Sequence, residues 1–269
     1  MLNFLNLHHR AIVLVILVLI SISCWFYTIA GVGMSMSAWE MTLINLNMNE
    51  IFHSMKIMNS HDNHVNFLNM IFIFLMWFLM MIAMMLPTAI PFIMIFDKIS
   101  NERKKQKYSY GLTINFFLSY VLIWAIFSLC LTIIHILLQK LNILNPSSLS
   151  VGYVVGGLLF LLAGIYQMTP FKEVCLKYCR NPIDFLSGQK FFYNFGAFYL
   201  GLKHGIFCVG CCWVLMLLLF YSGVMNIFWI AGLSLYIMIE KFIILGKKFN
   251  FFSGLILILF GSRIIYLNL

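Results

Sequence analysis

The sequence predicts an all-α, polytopic membrane helix bundle. Three observations point to it. Apolar runs of 18 residues or more recur along the chain. Charged residues make up only 9% of the sequence, against 63% hydrophobic ones. The positive charges gather between the runs. A mean hydropathy of +0.98 lies outside the range of water-soluble globular chains.

The elements follow in order. The first run covers about 11–31 and is preceded by His8, His9 and Arg10. Its apolar length exceeds that of a secretion signal, so it is read as a retained anchor. Segment 31–66 is an extracytoplasmic loop rich in Met and His, including Met34, Met36, His53, His61 and His64. Runs at about 67–96, 111–139 and 149–169 form a first three-helix group over 67–169. Segment 170–196 is a cytoplasmic loop. Pro170 and Pro182 bracket about three helical turns in it, placing Cys175 and Cys179 on one face. Runs at about 197–222, 225–245 and 249–268 form a second group over 197–269. The expectation is seven transmembrane helices in one integral membrane domain, 1–269.

The net charge of +9 does not point to nucleic acid, because the cations lie in loops. With the N-terminus in the cytoplasm, only Lys56, Lys140 and Arg263 of the 17 Lys and Arg residues fall outside. The positive-inside rule therefore predicts a cytoplasmic N-terminus and an extracytoplasmic C-terminus in a bacterial inner membrane. Five of the seven cysteines then lie in or near the cytoplasm, where thiols stay reduced. Cys24 and Cys130, alone in apolar runs, read as small buried hydrophobes.

The chemistry concentrates in HGIFCVGCCW. At 100° per residue, His204, Cys208, Cys211 and Cys212 share about 100° of one helical face, and Trp213 points away. Thiolates with an imidazole form a soft ligand set, which takes Cu(I) first and zinc second. The helix is expected to enter from the cytoplasm, which puts these thiols near its positive end. Upstream, Trp77, Met81, Met84 and Met85 form a soft-sulfur face, and Pro87 and Pro91 are expected to break the helix beneath it. Core packing accounts equally well for any single methionine. The Trp77 and His204 constellations have the same spacings, which raises a 3+3 inverted repeat after the first helix. Glu240 and Lys241 read as a snorkelling ion pair.

These residues carry a resemblance. WFLMMIAMMLPTAIP at 77–91, AGIYQMTPFKEVCLKYCRNP at 163–182 and GLKHGIFCVGCCWVLMLLLFYSGVMNIFW at 201–229, followed by Glu240-Lys241, resemble a bacterial family of predicted metal-binding integral membrane proteins. Some of its members carry a copper-chaperone label. The resemblance implies a class, not a mechanism.

The expected function is handling of a soft metal ion, Cu(I) before zinc, by a transporter or membrane copper chaperone that is not an enzyme. Met34 and Met36 would capture the ion, and Met81, Met84 and Met85 would pass it inward. His204, Cys208, Cys211 and Cys212 would hold it, with Cys175 and Cys179 as acceptors. The partners are the lipid bilayer, the metal ion and a metallochaperone or cuproenzyme. Two other readings stay open. One is a transmembrane thiol–disulfide electron carrier using Cys208 and Cys211, and the other is an assembly subunit without a ligand.

Overall fold

A computed structural model of the chain describes residues 2–31, 38–39, 42–43, 67–104, 110–144, 149–187, 194–242 and 246–268. Met34, Met36, His53, His61 and His64 lie outside the described residues. The long elements are α1 (Leu2–Ala30), α2 (Phe67–Lys104) and α3 (Tyr110–Lys140). Then come α4 (Tyr153–Gln167), α5 (Pro170–Arg180) and the short α6 (Pro182–Ser187). The chain continues as α7 (Asn194–Leu217), α8 (Leu219–Ser222), α9 (Ile227–Phe242) and α10 (Gly246–Asn268). Among the described residues there is no strand, only an isolated bridge between Leu144 and Val151.

Among the described residues, five helices are long and apolar enough to cross a membrane, with spans at Arg10–Ala30, Phe67–Asn101, Gly111–Lys140, Phe195–Ser222 and Lys248–Asn268. A sixth arises if α4 and α5, bent by 67° at their junction, are counted together. The seventh expected span is α9, and at 16 residues it falls short. At 1.5 Å per residue it reaches about 24 Å, less than a hydrocarbon core of about 30 Å.

The two prolines do not break α2, which runs through Pro87 and Pro91 for 38 residues. Neighbouring hydroxyls take up carbonyls around the first proline. Thr88 Oγ1 donates to the Met85 carbonyl at 2.8 Å, and Ser234 Oγ donates to the Met84 carbonyl at 3.2 Å.

Between lipid-covered helices, close backbone approach replaces the hydrophobic driving force. In the α4–α10 pair, a Cβ added at Gly164 would sit 2.6 Å from the Gly254 carbonyl, and one at Gly261 would sit 2.8 Å from the Gly157 carbonyl. Each helix thus presents glycines seven residues apart, and the antiparallel backbones close on each other there. Gly201 plays the same part between α7 and α3. A Cβ there would lie 2.3 Å from the Phe116 carbonyl. Its absence draws α3, with Tyr120, onto the cysteine-bearing face of α7.

Candidate metal centre

The inward face of α7 carries His204, Cys208, Cys211 and Cys212, all buried. Helical periodicity alone puts them there. Trp213 faces away and packs edge-on against Tyr166, ring centres 5.6 Å apart. The Cys211 and Cys212 thiols each donate to the Cys208 carbonyl at 3.0 Å, which keeps both sulfurs beside that turn. Cys208 lies 14 residues after Asn194 in α7, about 21 Å along the axis. The cysteines therefore sit deep in the span and not at its positive end. The helix-dipole argument fails for them, because that field fades within the first turn.

Segment 170–196 contributes the helix α5. That helix packs along α7. Thr169 caps it, accepting from the Lys172 N–H, and Pro170 opens it. The Cys175 sulfur sits over Gly210, 3.0 Å from where a Cβ would be, so a larger residue at 210 would collide with it. The Cys179 thiol lies within interaction range of Cys208 and Cys211. Cys179 is thus part of the α7 cluster, and the two cysteines of α5 do not form a separate site.

Three further helices close on the cluster. From α9, Lys241 Nζ donates to Cys208 Sγ at 3.1 Å and to Thr88 Oγ1 at 3.1 Å. From α3, Tyr120 Oη lies 3.4 Å from Cys208 Sγ. From α2, Met85 Sδ lies 3.9 Å from Cys212 Sγ. An ammonium at that distance compensates the negative charge that a thiolate ligand carries. Met81 and Met84 are also fully buried on α2. His204 is stacked on Phe92, ring centres 3.8 Å apart, and its Nε2 has no hydrogen-bond partner. A cavity of about 500 Å³ opens beside the cluster, lined among others by Thr88, Cys179, Arg180, Asp184 and Lys241.

Glu240 and Lys241 are not a snorkelling pair, since both are buried and they take different partners. Glu240 accepts from Lys172 Nζ at 2.7 and 2.9 Å and from Gln167 Nε2 at 2.6 Å. Arg180 Nε and Nη2 donate to the Glu240 carbonyl at 2.9 and 2.7 Å. Both ends of α5 are thereby tied to one residue of α9. Sequence reasoning missed Lys172, Lys241, Tyr120 and Thr88. The available signal was charge inside apolar helices, which marks function by default. Cys130 is exposed on the outside of α3, contrary to the expectation of burial, whereas Cys24 is buried.

Among the described residues no three or more His, Cys, Asp or Glu side chains form a preformed metal cage. The four-ligand set of a structural zinc site is absent from them. What they present is a sulfur cluster with an adjacent ammonium.

The family model described as PpoB2, copper chaperone, matches residues 74–264. The chain belongs to this copper chaperone family. The matched segment contains α3 to α9 whole, most of α2 and most of α10, and with them every residue of the cluster. No curated protein and no solved structure matches the chain. Membership of this family, with several apolar helices compatible with a multi-pass membrane protein, ties the chain to copper and to the bilayer.

Proposed function

We propose that this copper chaperone family member is a membrane carrier of Cu(I), a single integral unit that holds its cargo at the sulfur cluster. The observation that carries the reading is the Lys241 ammonium 3.1 Å from Cys208 Sγ, with Cys179 of α5 within interaction range of Cys208 and Cys211. Cu(I) accepts two or three soft ligands, and thiolates are the softest that proteins offer. Two thiolates and one Cu(I) leave one negative charge, which Lys241 offsets. Met81, Met84 and Met85 lead toward the cluster from one side, and Met85 meets Cys212. The cavity meets it from the other, where Cys179 would hand the ion to a metallochaperone or cuproenzyme. The protein acts here as a carrier and not as an enzyme.

The proposed setting is a bacterial inner membrane, N-terminus inside and C-terminus outside. The basic loops support it. The paired glycines support it as well, since they set α10 antiparallel to α4. The start of α9 meets Thr42 through the Ile227 N–H, which accords with α9 descending and α10 returning. A reporter fused after Leu269 is expected outside, and one within 97–110 in the cytoplasm.

A dithiol electron carrier has one observation in its favour, the same proximity of Cys179 to Cys208. Against it, the approach from α2 is lined by thioethers, which do no reversible dithiol chemistry. Competition for Cu(I) by purified, reduced protein tests the proposal. The wild type is expected to outcompete a Cys208→Ser/Cys211→Ser/Cys212→Ser variant by orders of magnitude, and equal competition rejects the metal reading.

A further inference from the structure

His135 of α3 takes no part in the cysteine cluster, yet it is 2% exposed and its Nδ1 has no hydrogen-bond partner. Two other polar atoms nearby on α2 and α3 are orphaned as well, one of them on the ring that meets His135. Trp77 Nε1 on α2 and Ser128 Oγ on α3 are likewise buried without partners. Ser128 and His135 lie seven residues apart, on one face of α3. The Trp77 and His135 rings meet edge-on at 6.3 Å, and Phe220 of α8 closes against Trp77 at 5.0 Å. Unpartnered polar atoms are costly where lipid excludes water, and each asks for a missing partner.

The register of the helices identifies the nearest donors. Met85 meets Cys212 and Phe92 meets His204, so α2 and α7 run antiparallel, and Trp77 meets Phe220 of α8 just beyond the end of α7. That register sets Met81 opposite Met216, one turn from the Trp77–Phe220 contact and one turn from the Met85–Cys212 contact. Both methionines are fully buried. Two buried thioethers are thus placed one helical turn from the imidazole and indole, between α2, α3 and α7. Imidazole and thioether are ligands for Cu(I), and an indole face attracts a cation. An ordinary aromatic core needs no unpartnered imidazole nitrogen.

We propose that His135, Met81 and Met216, beside Trp77, form a second soft-metal site. It lies about one helical turn from Met85, on the side of the cysteine cluster away from the cavity. The inference rests on the copper reading of that cluster and extends it. The second site would hold the ion by neutral donors, more weakly than thiolates do. Cargo would therefore run downhill from His135 and the thioethers to Cys212 and Cys208.

Cu(I) titration of reduced, detergent-purified protein against a chromogenic Cu(I) chelator tests this. The proteins compared are the wild type, His135→Leu, Met81→Leu/Met216→Leu and Cys208→Ser/Cys211→Ser/Cys212→Ser. The leucine variants keep apolar volume. His135→Leu is expected to lose the weaker class of bound Cu(I) and retain the tight one. The methionine double variant is expected to weaken that class about tenfold or more. The cysteine variant is expected to keep a His135-dependent ion, with nitrogen and sulfur neighbours in its X-ray absorption spectrum. Identical titrations of the wild type and His135→Leu overturn the second site while leaving the cysteine reading intact. A cysteine variant that binds as the wild type does rejects the cysteine reading and leaves the second site standing. If His135→Leu does not fold, the spectrum of the cysteine variant decides, and a bound ion without nitrogen neighbours overturns the proposal.

Discussion

Lys241 Nζ and Cys208 Sγ lie 3.1 Å apart, although 33 residues separate them in the chain, and both are buried. The ammonium also bonds Thr88 Oγ1 at 3.1 Å, so one cation ties α9 to α2 and α7 at the sulfur cluster. A positive charge buried among thiols is costly unless the thiols carry negative charge, and a pair of thiolates around a monovalent ion supplies it.

Removing that charge is expected to weaken metal binding while leaving the sulfur ligands in place. A hydrogen bond to a charged group contributes about 1.5–3 kcal/mol, so Lys241→Met should lower Cu(I) affinity roughly 10- to 100-fold. Arginine should restore part of it. Chelator competition measures both, and an unchanged affinity for Lys241→Met would remove the lysine from the site.

The cysteines are expected to separate by position. Cys179→Ser should lower Cu(I) affinity at least about tenfold, because its sulfur lies within interaction range of Cys208 and Cys211. Cys130→Ser should change nothing, since that thiol is exposed on the far side of α3. Equal effects of the two would argue against a site built across α5 and α7.

The tie between Lys172 and Glu240 holds α5 in place. Breaking a buried pair by removing one partner costs about 3–5 kcal/mol. Glu240→Gln or Lys172→Met alone should therefore loosen α5, read as faster proteolysis near 170–187 and a lower Tm in detergent. The double variant should recover much of the loss. If the double variant is as unstable as the sum of the two singles, the pair is not what fastens α5.

Much of this arrangement is legible in the sequence, for identifiable reasons. The His204–Cys212 face follows from helical periodicity, and the apolar runs follow from composition. The placement of α5 does not. Its polar residues read as a cytoplasmic loop, because nothing local reveals that Glu240 will take Lys172 and the Arg180 guanidinium. Glu240 and Lys241 looked like a pair because they are adjacent, yet neighbouring residues on a helix point about 100° apart. Pro87 and Pro91 looked like breaks because the Ser234 hydroxyl reaches the Met84 carbonyl only once α9 packs on α2.

The methionines of α2 separate carriage from binding. Met84→Leu/Met85→Leu keeps volume and helix propensity, so the fold should survive. Cu(I) bound by the cysteines should remain, while delivery to a copper enzyme in cells at matched protein level should fall. Full delivery by the variant would return both methionines to a packing role.

The central claim is that the ion is held by sulfur contributed from two helices, and X-ray absorption at the copper edge tests it most directly. Reduced protein loaded with one equivalent of Cu(I) is compared with Cys208→Ser and Cys179→Ser variants loaded in the same way. The account predicts a low-coordinate shell made of sulfur alone in the wild type, and a shell that loses sulfur or gains nitrogen or oxygen in each variant. A wild-type shell dominated by nitrogen or oxygen, or one that neither substitution alters, would contradict it.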